Sequence, residues 1–299
     1  MLAVTGANGN LGRRLLERLA TGPEPVRAVV RSAAAARTLR GLALPGALEI
    51  VEVDYLDTEA MSAALAGCRG VVHLVGIIRE SRGNRYVDAH ERTAEVLARA
   101  AARCGVERIV ALSILGASAS ADNACLRSRA AADARLLNAA GDVVVLRVPM
   151  VLGADDHAGR ALAARARRAV ALTLRAGSLE QPIDAADVVA AIVAALGGAV
   201  AGRRVMELAG PESLTRRALT QRAAALLGRR TRMISLPLVC GLGAAWLLER
   251  LSDDPPVTRA MLGVLDHDDR IDPRPAAAAL GIRLTPLDET LRRVVAPDG

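Results

Sequence analysis

Gly6, Gly9 and Gly12 stand three residues apart directly after a short apolar run, and this spacing serves anion binding. Backbone N–H groups of such a turn, with the positive end of a helix dipole, face a phosphate, and missing Cβ atoms let it approach closely. The pattern is Gly-x-x-Gly-x-x-Gly, which differs from the Gly-x-Gly-x-x-Gly of the commonest dinucleotide fingerprint. Its context gives it meaning: an apolar strand ends at Thr5, and Leu11, Leu15, Leu16 and Leu19 recur at helical spacing over 11–20.

Other reactive side chains are sparse. Cys68, Cys104, Cys125 and Cys240 show neither a Cys-x-x-Cys spacing nor a His at metal-ligand distance, so no metal is expected and the thiols read as free in a reducing cytoplasm. His73 lies inside an apolar run and reads as a core histidine. Tyr55 and Tyr86 are the chain's two tyrosines. Arg160, Arg165, Arg167 and Arg168 stud a helix expected over 159–170, whose bland reading is a solvated face.

The elements that position these residues alternate. Short apolar strands are expected at 26–30, 48–53, 70–75, 108–112 and 143–146, with helices over 33–42, 57–66, 84–104 and 122–139 between them. Such βαβ units imply a doubly wound parallel sheet, an α/β nucleotide-binding domain over residues 1–150. Residues 151–299 read as a smaller mixed lobe interleaved with it over the ligand cleft. There a helix begins at Asp184 with acidic residues in its first turn, 205–208 suit a strand, and 214–227 suit a helix before Gly228.

Composition narrows the class. Of 299 residues 52% are hydrophobic and 24% charged, as in a globular protein that buries a large core. Aromatics are 1% with no Phe, so aliphatic side chains fill that core, and with no lysine every basic side chain is arginine. The net charge of +7 raises nucleic acid as a partner, but the arginines are scattered and no aromatics stand ready to stack on bases, so none is expected. No basic region with an apolar stretch opens the chain, so no signal peptide is expected, and the location reads as cytoplasmic. The longest apolar run, 233–248, is too short to span a bilayer and contains Pro237; a buried or interfacial helix is expected, with membrane-surface contact open over 233–251.

Taken in order, these motifs resemble the extended and atypical short-chain dehydrogenase/reductases, nearest the NmrA-like and complex-I-accessory-subunit-like branch. The resemblance rests on Thr5-Gly6-Ala7-Asn8-Gly9-Asn10-Leu11-Gly12, Val29-Val30-Arg31, Val53-Asp54, Leu112-Ser113 and Leu146-Arg147-Val148-Pro149 with Val151-Leu152-Gly153. It continues through Gln181-Pro182-Ile183 to Asp187-Val188, Leu208-Ala209-Gly210-Pro211-Glu212 and Leu284-Thr285-Pro286-Leu287, and so covers nearly the whole chain.

The resemblance implies a dinucleotide cofactor. Gly6, Gly9 and Gly12 would surround its pyrophosphate and Asp54 would sit beside its adenine, with Thr5, Asn8, Asn10, Leu11 and Tyr55 also among the cofactor-binding residues. Val75, Gly76, Ser113, Arg129 and Pro149 would complete the cofactor-binding set. At the end of the second strand an acidic residue would hold NAD's ribose hydroxyls, whereas Arg31 and Ser32 stand there, with Arg37 nearby. A guanidinium suits a 2′-phosphate, which favours NADP over NAD.

The catalytic positions depart from the family. Its reductases use a Ser and a Tyr with a Lys four residues later. Ser113 matches the Ser, while Cys125 and Arg129 fall at the Tyr and Lys positions. A thiol is much shorter than a phenol, and an arginine stabilises an anion without relaying a proton. A thiolate between arginines would be reactive, whereas a buried Cys is an inert core side chain. Three functions are therefore weighed: an oxidoreductase on a small carbonyl or quinone-like substrate, a non-catalytic NADP(H)-binding sensor or assembly subunit, and, lowest, a nucleotide-sugar epimerase or dehydratase, which needs the Tyr.

Overall fold

The structure is a computed structural model and describes residues 1–42, 44, 48–252, 254–264 and 267–296. The chain opens with β1 (Leu2–Thr5), α1 (Asn10–Ala20), β2 (Val26–Val30), α2 (Ala33–Arg40), β3 (Leu48–Glu52), α3 (Thr58–Leu65) and β4 (Gly70–His73). A π-helical turn (Val87–Arg92) leads into α4 (Thr93–Arg103), then β5 (Arg108–Ile114), α5 (Ala124–Leu137), β6 (Asp142–Val148), β7 (Val151–Leu152) and α6 (His157–Ala166). Next come β8 (Val170–Leu174), β9 (Leu179–Glu180), β10 (Ile183–Asp184), α7 (Ala185–Leu196), β11 (Arg203–Glu207), β12 (Leu214–Thr215) and α8 (Arg216–Leu226). The last elements are β13 (Arg232–Leu236), α9 (Leu238–Leu251), α10 (Arg259–Val264), α11 (Arg274–Leu280) and α12 (Leu287–Val295).

Seven strands form one sheet in the order β11-β6-β5-β4-β1-β2-β3, and every neighbouring pair is parallel. Parallel strands need long crossovers, so helices cover both faces and the central strands β1, β4, β5 and β6 are largely buried, whereas the edge strands β3 and β11 carry charged, exposed residues. Side chains alternate between the faces. Val4, Val72, Val110 and Val144 pack with α1, α2, α7 and α11, whereas Ala3, Val71, Ile109 and Val143 pack with α3, α4 and α5. A third cluster joins α6, α8 and α12 through Leu162, Leu219 and Leu291. The strand order reverses between β1 and β4, and ligands of such sheets bind outside the carboxyl ends of the strands at that reversal. The doubly wound α/β fold read from the sequence is the fold observed.

Local boundaries differ for identifiable reasons. The helix expected from 84 begins at Val87, because Ser81 and Asn84 close a turn through mutual backbone hydrogen bonds, with Gly83 at a φ of 80°. The arginine-studded helix ends at Ala166, and Val170 instead starts β8 beside β13. Pro237 divides the apolar run 233–248 into β13 and α9; Met233 is buried in the strand and Ala245 alone in the helix. Residues 203–207, beyond the expected domain boundary at 150, form the edge strand beside β6.

The late motifs are latches. Asp187 accepts from the Thr285 N–H and hydroxyl, both at 2.7 Å, and Asp184 accepts from the Thr290 hydroxyl at 3.0 Å. Gln181 donates to the Gly210 carbonyl at 2.8 Å and accepts from the Ile271 N–H at 2.9 Å. A Cβ on Gly210 would meet the Pro182 carbonyl, so only glycine fits there.

Candidate nucleotide-binding site

The glycine turn leaves β1 at its carboxyl end. Gly6 adopts a φ of 70°, a left-handed conformation that favours glycine, and a Cβ there would press on the Leu74 and Val75 backbone at 3.0–3.1 Å. A Cβ on Gly12 would lie 2.5 Å from the Ala7 carbonyl oxygen, so glycine lets α1 approach the turn. Helices α2, α3, α5 and α7 are capped by the side chains of Ser32, Asp57, Asn123 and Asp184. Helix α1 begins at Gly9 with no side-chain cap and no acid in its first turn. Its first N–H groups are therefore left for an anion, beside exposed Asn8 and Gly9.

Two donors of the turn are already committed, and one of them, the Gly9 N–H, bonds the Gly6 carbonyl at 3.1 Å. The Tyr55 hydroxyl accepts from the Gly6 N–H at 3.0 Å and donates to the Val29 carbonyl at 2.7 Å. Tyr55 is buried, and burial pushes its phenol up to about 12. Thr5 is likewise internal: its hydroxyl bonds His73 Nδ1 at 2.8 Å, and burial drives His73 down to about 3. Thr5 and Tyr55 thus position the turn from beneath. Asn10 donates to the Asp155 carbonyl at 3.1 Å, and Leu11 is half-buried.

Arg31 is exposed at the end of β2 and donates to Asn84 at 3.3 Å, while the Ser32 hydroxyl caps α2 by accepting from the Ala35 N–H. Asp54 is exposed and bonds the Leu56 N–H at 3.0 Å.

Beyond β4 and β5 the second group converges. Arg129 reaches from α5 to donate to the Val75 carbonyl at 3.2 Å and the Leu112 carbonyl at 3.5 Å. Its guanidinium fills the space a side chain at Gly76 would take. No ion pair holds Arg129 among the described residues, and burial pushes its pKa below the ordinary arginine value. Ser113, at the end of β5, is buried, and its hydroxyl has no hydrogen-bond partner among the described residues. Pro149 follows β6 and is buried.

Neither Cys125 nor Tyr86 offers a ready proton. Cys125 is 1% exposed, its thiol faces the Ile77 carbonyl at 3.7 Å, and burial raises its pKa. The Tyr86 hydroxyl donates to the Ile78 carbonyl at 2.7 Å, and burial raises it above the ordinary phenol value. Sequence reasoning missed His90, which stacks on Tyr86 with ring centroids 5.5 Å apart. Its Nε2 meets the Ile77 N–H at 3.1 Å, and its buried Nδ1 has no hydrogen-bond partner among the described residues. The π turn that swings it inward leaves no mark in residue spacing. Of the helix arginines, Arg165 turns inward and is half-buried, whereas Arg160 and Arg167 bond backbone carbonyls of Asp155 and Val295.

This geometry agrees with what the chain is similar to. Residues 6–197 match the family described as NAD(P)H-binding. The chain belongs to that family. Among its relatives, the mitochondrial NADH dehydrogenase [ubiquinone] 1 alpha subcomplex subunit 9 of Arabidopsis thaliana is 32% identical over 78% of this chain, which spans 60% of that protein's length. The (4-alkanoyl-5-oxo-2,5-dihydrofuran-3-yl)methyl phosphate reductase of Streptomyces griseus is 29% identical over 88% of this chain and 85% of its own. An Escherichia coli NADPH-dependent quinone oxidoreductase complexed with NADPH superposes with a TM-score of 0.75 at 21% identity, covering 98% of this chain and 99% of its own. That likeness is one of fold. The chain is thus a member of the NAD(P)H-binding family with a relative among the subunits of mitochondrial NADH dehydrogenase.

Proposed function

We propose that this NAD(P)H-binding protein prefers NADP(H) and reduces a quinone-like or other conjugated carbonyl acceptor without a proton-donating side chain. The observation carrying the proposal is Arg129: a half-buried residue whose guanidinium, at the carboxyl ends of β4 and β5, donates to two neutral carbonyls. Asp133, the carboxylate that acts on Arg129 through space, is already paired with Arg147, so the desolvated guanidinium still favours negative charge arriving beside it.

The assignment of roles follows. The open first turn of α1 holds the pyrophosphate, Gly9 lets it approach by carrying no side chain, and Arg31 holds the 2′-phosphate. Arg129 steadies a ribose hydroxyl and the charge gained by the acceptor, while Ser113 donates to the acceptor oxygen. The bound cofactor supplies the hydride. Residues 1–150 carry the nucleotide and 151–299 cover the acceptor. With Cys125 and Tyr86 weakened as acids, the final proton comes from water, which suits an acceptor whose reduced anion is stabilised by conjugation.

The second reading, a non-catalytic sensor or assembly subunit in a reducing cytoplasm, draws on the same missing donor and on the relative named as an NADH dehydrogenase subunit. Following NADPH absorbance with quinones and with unconjugated aldehydes separates the two. Oxidation with quinones and none with aldehydes supports the reductase. Tight NADPH binding with no oxidation by any acceptor supports the second reading.

A further inference from the structure

Eleven large apolar side chains stand exposed among the described residues, and seven of them lie on β8, β13 and α9. The parallel register sets Leu172 beside Ile234 and Val170 beside Arg232 on one face of the two-stranded sheet. Val170, Leu172 and Ile234 on that face are 40–61% exposed, while Ala171 and Met233 on the reverse are buried. At the far end Leu174 rests on Gly241, where a Cβ would lie 2.5 Å from Leu174 Cδ1, so the face runs on into α9. Along α9, Val239, Gly243, Trp246, Leu247 and Arg250 are exposed at the spacing of one helix side. Leu251 extends it at 74% exposed.

The border of this face is basic. Arg168, Arg229, Arg230 and Arg232 are exposed where β8 and β13 begin, joined there by the Thr231 hydroxyl bonding the Ala166 and Arg168 carbonyls. Among the described residues none of the four arginines makes an ion pair with a carboxylate. Arg250 sits 4.5 Å over the Trp246 ring. Apolar side chains, an interfacial Trp and a border of arginines with no carboxylate partner among the described residues match the acyl boundary, headgroup level and phosphates of an anionic bilayer.

We propose that β8, β13 and α9 seat the protein on an anionic lipid surface. No helix among the described residues is long and apolar enough to cross a membrane, so the contact is with the surface. The chain after α9 leads to the cleft: Arg79, in the loop after β4, pairs with Asp254 at 2.5 Å, and Asn123, which caps α5, donates to the Ala260 carbonyl at 2.8 Å. Docking therefore brings the cleft beside the bilayer, where apolar acceptors dissolve.

Trp246 is the chain's single tryptophan, which makes its emission a native reporter. The full chain is mixed, without cofactor or acceptor, with vesicles of phosphatidylcholine or of an equal phosphatidylcholine–phosphatidylglycerol mixture, so the outcome is independent of turnover. The expected result is a blue shift of Trp246 and flotation with the anionic vesicles, both reduced by salt. Replacing Arg229, Arg230 and Arg232 by Gln lowers partitioning roughly tenfold or more. Leu172→Ser with Leu247→Ser abolishes it while melting like the wild type. Unchanged wild-type emission without flotation overturns the proposal. So does a blue shift that grows with protein concentration in lipid-free buffer while sedimentation reports dimers, because a second copy then covers the face.

Discussion

The guanidinium of Arg129 occupies the volume that a side chain at Gly76 would need, and it is held there by the Val75 and Leu112 carbonyls. The two positions are 53 residues apart in sequence and act as one unit at the end of β4. Gly76→Ala forces the guanidinium out and costs about 1–3 kcal/mol as an overpacking change. In an Arg129→Ala background the same substitution is close to neutral. Denaturant unfolding of the four proteins measures this coupling, and additive costs would contradict it.

Removing the Tyr55 hydroxyl leaves the Gly6 N–H and the Val29 carbonyl without their partner. Tyr55→Phe therefore destabilises the fold by about 1–3 kcal/mol. It also loosens the glycine turn, so NADPH affinity falls although the phenol is buried beneath the cradle. Affinity equal to the wild type would show that the turn holds its shape unaided.

Acid weakens the fold through His73. Its folded pKa, about 3, lies below the ordinary value of 6.5, so its contribution is complete above 6.5 and is lost as pH falls toward 3. His73→Gln removes that dependence. The wild type's stability advantage over the variant should shrink by up to about 1.4 kcal/mol per pH unit between pH 6 and 4. A constant difference would mean that His73 is protonated in the folded state.

Thiol labelling reads the environment of Cys125. Cys240 is exposed and Cys104 half-buried, whereas Cys125 and Cys68 are buried with raised pKa values. A maleimide at neutral pH should modify Cys240 first and reach Cys125 only on unfolding. Rapid modification of Cys125 in the native protein would restore the reactive-thiolate reading.

Much of the nucleotide half was legible because its signals are local. Gly6, Gly9 and Gly12 mark the turn, and apolar runs mark strands buried on both faces. What was not legible depends on convergence. Tyr55 follows Asp54 in sequence and looks like a cofactor neighbour, yet its hydroxyl points to where β1 and β2 end together. Ser32 looks like a phosphate ligand and spends its hydroxyl on capping α2. His90 became visible only through the π turn, and Pro237 gave the one local sign that 233–248 would divide.

The most direct test of the account is calorimetric titration of NADPH and NADH onto the wild type and Arg31→Asp. The predicted result is NADPH bound at least about tenfold tighter than NADH, the worth of one charge-assisted contact to the 2′-phosphate, with that preference lost in the variant. Equal or stronger binding of NADH by the wild type would contradict the role given to Arg31, and absence of binding by either would contradict the cradle itself.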